Sequence, residues 1–313
     1  MILPVPMVRI QYHGKQNLKP SGEAMAILNR EEYIEQIYFF RNMRERITAG
    51  IATQDVLERI DQEILSTTKL PMAIQFLATE VKDSGLLSAG FGRLPHYFTP
   101  FQAFIVRSSE NEHLKFSIDM GLNILEKLAI FMSGEPTACG LFVFQFETLA
   151  RNRLGYEEGV HAMAQDIMYS EDWRQFIRFV EKQIGLVEFA ELVYLRSHFY
   201  VQTQQRSNSD YVPPVAPLFG EKEGKIAKAN IGRDPFFLFA ALQRQLGYPE
   251  VPRTKPKDEQ KEVLTNLQLK LRDMDTRIKL LEAEVRGNID LEKFGKPDIL
   301  AQFPPKFPED DED

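Results

Sequence analysis

Two short stretches of the chain place a glutamate and a histidine three residues apart. Residues 108–116, SSENEHLKF, contain Glu110 and His113, and residues 155–163, GYEEGVHAM, contain Glu158 and His161. Side chains at i and i+3 share a helix face, so each pair can aim a carboxylate and an imidazole at one point. Two such helices, with one further glutamate from each of two others, make the ligand set of di-iron and di-manganese carboxylate bundles. Glu147, on the intervening stretch, is the candidate third carboxylate, and Glu80 or one of Glu31, Glu32 and Glu35 the fourth. The chemistry implied is iron- or manganese-dependent oxidoreduction in a ferritin-like bundle.

The helices must bring these groups to one level. With a hinge near Glu135, Glu110 lies about 37 Å back along one helix and Glu147 about 18 Å along the next, at about 1.5 Å per residue. From a turn near Gly155, Glu147 is about 12 Å away and Glu158 about 5 Å. Simple up-down packing therefore separates the ligands, and the metal reading needs another helix order. The competing reading is local. Glu157 and Glu158 fall in a first helical turn, where carboxylates favour the positive end of the helix dipole. Glu157 can reach His161 at i, i+4. Ser109 and Glu112 match a capping box if a helix restarts there. His96 precedes a helix start and can line a pocket, and His198 falls at the edge of an apolar stretch.

The elements that carry these residues read as helices throughout. Asn29 and Glu32 match a capping box, and helical spacing then runs to about Gly50. A helix opens at Thr53 and another spans about 71–83. The glycines of 84–98 predict a loop. Thr99-Pro100-Phe-Gln102 combines an N-cap, proline at N1 and Gln at N3, and the spacing continues to Met132. Further helices are expected over 138–154, 156–168, 171–185 and 186–204. Residues 149–166, LARNRLGYEEGVHAMAQD, resemble part of one tetratricopeptide repeat, but no second copy follows at a period near 34, so a regular solenoid is not expected.

From 206 to 257 the chain reads as proline-rich linkers around one short helix, 235–246, opened by Asp234-Pro235 and stopped by Gly247. Then comes the most regular pattern in the sequence. Leu264, Leu271, Ile278 and Val285 take a positions of a heptad, and Leu267, Met274 and Leu281 take d. The narrow seam predicts a coiled coil over 258–286. The tail, 287–313, ends in Glu-Asp-Asp-Glu-Asp and reads as disordered and acidic. Residues 1–28 read as irregular.

Composition narrows the function. The 313 residues carry a net charge of −7, against the basic face of a nucleic-acid binder. No apolar run is long enough to span a membrane, and the N-terminus lacks the basic start of a secretory signal. One cysteine, Cys139 in apolar surroundings, reads as a buried thiol rather than a nucleophile. Trp173 reads as a core residue. No phosphate loop, nucleophile elbow or zinc motif appears.

The expectation is an all-α protein: an irregular bundle of antiparallel helical hairpins over 29–205, then the linkers, the coiled coil and the tail. Its function is expected to be non-catalytic and cytoplasmic. It would self-associate through the seam and hold a protein partner on the helical domain, with no nucleic acid or membrane span. The metal-dependent oxidoreductase is the alternative. Apolar-ligand carriage, from 11% aromatic content, is a third reading.

Overall fold

The computed structural model describes residues 28–253, and 267, 270–272, 274, 275 and 278 beyond them. The chain divides into two compact units, Met1–Thr254 and Lys255–Asp313. The described part of the first is a multi-helix bundle. Its helices are α1 (Arg30–Thr48), α2 (Thr53–Ile60), α3 (Leu70–Ser84), α4 (Leu87–Arg93), α5 (Pro100–Ser109), α6 (Ile118–Met132) and α7 (Ala138–Asn152). They continue as α8 (Tyr156–Ala164), α9 (Glu171–Gln183), α10 (Phe189–Leu195), α11 (His198–Ser207), α12 (Glu221–Ala229) and α13 (Pro235–Leu246). No described helix is long and apolar enough to cross a membrane. In the second unit the described residues are helical.

Strong local signals place helix ends where the sequence predicts them. The Thr99 hydroxyl accepts from Gln102 N–H at 3.3 Å while Thr99 N–H donates to Gln102 Oε1 at 2.8 Å, a complete capping box. Asp234 caps α13 by accepting from Phe236 N–H at 2.9 Å, and Gly247 ends it at φ 69°.

Other local signals are overruled. The 84–98 stretch contains α4 rather than only a loop. Its Gly90 allows close packing: a Cβ there would lie 2.6 Å from Leu77 Cδ2. The helix begun at Thr99 stops at Ser109, and α6 restarts with Ser117 accepting from Met120 N–H at 3.3 Å. The Ser109–Glu112 capping box does not form; the Ser109 hydroxyl donates to Val106 C=O at 2.7 Å. Asn29 is an N-cap without a side-chain bond. Glu32 instead accepts from Lys69 N–H and the Tyr97 hydroxyl, both at 2.8 Å. The 186–204 stretch breaks into α10 and α11, because Phe219 enters at the junction: His198 N–H donates to Phe219 C=O at 2.9 Å and Phe219 N–H to Arg196 C=O at 3.1 Å.

The stretch 206–257, expected as linkers around one helix, carries a second helix, α12. It also sends Phe219, Leu238, Phe239, Leu242, Tyr248 and Val251 into the main core. The Leu264, Leu281 and Val285 seam positions, the 287–313 tail and residues 1–27 lie outside the described residues.

The core is organised around α7, which is buried along most of its length, with Leu141, Phe142, Val143, Phe144, Phe146 and Leu149 on all sides. A helix apolar all round belongs inside a bundle. Phe142 is its hub. Its ring lies 5.4 Å from both Trp173 and Phe176, 5.8 Å from Phe189, and 6.1 Å from Phe146 and Phe219. Replacing it by alanine opens a cavity under four elements. Phe142→Ala is expected to cost about 3–5 kcal/mol, read from the urea midpoint by Trp173 fluorescence. A loss under about 1 kcal/mol would mean that the cluster collapses onto the gap.

Candidate functional site

The four residues of the two Glu-x-x-His motifs and Glu147 have five different surroundings. Glu110, just past α5, accepts from the N–H groups of Leu87 at 2.6 Å and Ser88 at 3.0 Å, so it caps α4. His113 sits exposed in the turn after it, its backbone N–H donating to Asn111 Oδ1 at 3.0 Å. Glu147 is buried on α7, paired with Arg151 and accepting from the Tyr248 hydroxyl at 2.7 Å. Glu158 is exposed and pairs with Arg107 at 3.0 Å. His161 is exposed and lies 2.8 Å from Gln165 Nε2.

The candidate fourth carboxylates are also engaged. Glu80 pairs with Arg93 at 2.6 Å, Glu32 binds Lys69 and Tyr97, and Glu35 accepts from Leu65 N–H at 3.3 Å. Glu31 is exposed at the start of α1. Among the described residues, no group of three or more His, Cys, Asp or Glu side chains is placed to hold a metal ion. The residues fit helix ends and ion pairs better than a metal centre. A carboxylate at a helix start satisfies N–H groups that have no partner within the helix.

Glu158 and His161 do share a place: the rim of an open cleft of about 710 Å³ between α5 and α8. Its floor is Phe91, Phe98 and Phe104, and Arg107, Glu157 and Glu181 join the rim. No base–nucleophile pair stands there; His161 is bonded to an amide, and Arg107 is neutralised by Glu158.

A second concavity is apolar. Phe146, Tyr156, Ile184, Val187, Phe189 and Phe239 line a groove of about 310 Å³, closed at one side by Pro235 and Phe236. Phe146 and Phe189 stack at 4.1 Å with their rings 6° from parallel, making a flat wall. Phe236 is 45% exposed at the rim, Phe237 next to it 64%, and Leu186 79%. Arg151 lies 4.8 Å over the Phe236 ring. This groove leaves no trace in local sequence patterns, because its walls come from four helices and a loop. The signal available was the density of phenylalanine in 141–146 and 235–239.

Cys139 and Trp173, read from sequence as a buried thiol and a core residue, have structural surroundings. Cys139 is held as a thiol, because burial and then the nearby Glu223 raise its pKa. Trp173 is core, packed on Phe142, Phe219 and Phe176. His198 is exposed rather than at the core edge, since it begins α11. His96 lines a cavity of about 20 Å³ with Tyr33, Tyr97, Gln102 and Asp166, room for about one water.

Asp166 is the titratable group that sequence reasoning missed. It is buried, accepting from Gln145 Nε2 and Met168 N–H, both at 3.1 Å; Gln145 in turn accepts from the Tyr169 hydroxyl at 2.7 Å. Burial raises its pKa above the ordinary 3.8, more than its hydrogen bonds and Arg174 lower it. Burial, and then Asp166, push Tyr33 up to about 12.

A raised native-state pKa means that the folded protein keeps a proton that the unfolded chain has released. The group's contribution to stability is full below the ordinary carboxylate range and is lost as pH rises through the raised value. Asp166→Asn removes that loss and keeps an acceptor for Met168 N–H. The wild type is therefore expected to lose stability relative to the variant as pH rises above the ordinary carboxylate range, in urea midpoints taken at a series of pH values. Parallel curves would mean that Asp166 titrates as an ordinary carboxylate.

Comparison of the chain with protein-family models, with curated proteins and with solved structures finds no match.

Proposed function

We propose that the protein is a non-catalytic interaction protein, cytoplasmic, which self-associates through the helix at 258–286 and holds a protein partner on its helical domain. One observation carries the reading. The described seam residues Leu267, Leu271, Met274 and Ile278 are helical and 54%, 58%, 57% and 50% exposed. Their spacings of four, three and four keep them on one stripe. Exposed large apolar side chains in register along one helix mark an interaction surface. Burying a side chain of this size is worth roughly 1.5–3 kcal/mol, so a seam of them supports association. The apolar groove beside α13 supports the second part, since a partner's apolar side chain fits its aromatic walls.

The test is solution mass. Leu271→Glu combined with Ile278→Glu is expected to convert an oligomer to a monomer in sedimentation equilibrium while leaving Trp173 fluorescence and the urea midpoint of the helical domain unchanged. A wild-type protein that is monomeric, or a variant that keeps the wild-type mass, would refute self-association through this helix. Near-stoichiometric iron or manganese in protein purified without metal-affinity chromatography, lost on His113→Ala with His161→Ala, would overturn the non-catalytic reading.

A further inference from the structure

Resting on that self-association, the charges flanking the seam bear on the orientation of its strands and the residues within it on their number. With Leu271 and Ile278 at a and Leu267 and Met274 at d, Lys270 occupies a g position and Asp275 an e position. All six residues are described, and all six are helical and exposed. In a parallel two-stranded coil each g side chain faces the partner's e side chain five residues further on, and such pairs set orientation. Lys270 then faces Asp275 of the second copy. The next heptad, by sequence, repeats the arrangement with Arg277 at g and Glu282 at e.

An antiparallel pairing sets g against g and e against e. Centred on the described residues, it puts Lys270 against Arg277, two positive charges, and Asp275 against Gln268, with no opposite charge to attract it. The seam composition bears on the number of strands. Two of the four a positions, Ile278 and Val285, are β-branched and two, Leu264 and Leu271, are leucine, with Leu267, Met274 and Leu281 at d, so the combination that favours two strands, a β-branched a with a leucine d, is present in the heptad that starts at Ile278. We infer that the partner of this surface is a second copy of the same chain, aligned parallel and in register as a dimer.

Two cysteine variants test the orientation in the full chain, with Cys139→Ser in the background so that the introduced thiol is the sole one. Leu267→Cys and Met274→Cys each put a thiol at a d position, both among the described helical residues, and the two positions are seven residues apart, about 10 Å of helix. In a parallel, in-register dimer each thiol meets its own copy. Both variants are then expected to form a covalent dimer on mild oxidation, with the wild type sedimenting at twice the chain mass. In an antiparallel dimer a residue meets its own copy only at the crossing point, so at most one variant can cross-link. A twofold mass with one or neither variant cross-linked overturns the parallel alignment and leaves self-association standing. A threefold or higher mass overturns the two-strand assignment. A monomeric wild type removes the self-association beneath both.

Discussion

The burial of α7 is the constraint on which the rest of the first unit depends. A helix surrounded by protein cannot leave polar side chains to water, and four of its buried residues are polar: Gln145, Glu147, Thr148 and Asn152. Thr148 solves this within the helix, its hydroxyl donating to Phe144 C=O at 2.8 Å; Asn152 does so only in part, its Nδ2 donating to Thr148 C=O at 3.1 Å while its Oδ1 stays without a partner among the described residues. The others recruit remote chain. Gln145 draws in the turn at Asp166 and Tyr169. Glu147 draws in Tyr248, and Asn152 Nδ2 also reaches Pro252 C=O at 3.0 Å. The described stretch 207–253 is therefore part of the core rather than a tether, because the buried polar atoms of α7 bond its hydroxyl and carbonyl.

The same economy explains what became of the Glu-x-x-His motifs. A carboxylate can ligate a metal, cap a helix or pair with a guanidinium, and these uses compete for the same lone pairs. Here Glu110 is taken up by the start of α4, Glu147 by Arg151 and Tyr248, and Glu158 by Arg107. The break between α5 and α6 turns Glu110 toward α4 and leaves His113 in an exposed turn, so the i, i+3 face assumed for a continuous helix never forms.

The second unit follows a different logic. The first unit covers its own apolar residues with several helices, whereas the described seam presents a single stripe that stays exposed within one chain. A narrow stripe flanked by charge is too small to organise a core and is well shaped for pairing with an identical stripe. The two surfaces proposed for interaction also divide the work: the seam is regular and self-complementary, while the aromatic groove is irregular and suited to a different molecule.

The sequence by itself determined what is settled within a turn or two of helix. The all-helical class, the capping box at Thr99, the span of α13 and the heptad stripe all follow from relations between residues a few positions apart. Tertiary structure alone decided where helices break, whether a glycine means a turn or a close approach, and which carboxylate finds which partner. Gly90 reads as a loop residue until Leu77 is packed against it. Glu32 reads as a cap for its own helix until Lys69 N–H and Tyr97, 37 and 65 residues away, take its oxygens. Glu147 and Tyr248 are separated by 101 residues. Periodicity and capping are local and leave a local record; desolvation and partner choice depend on which surfaces meet, and no short stretch of sequence encodes that.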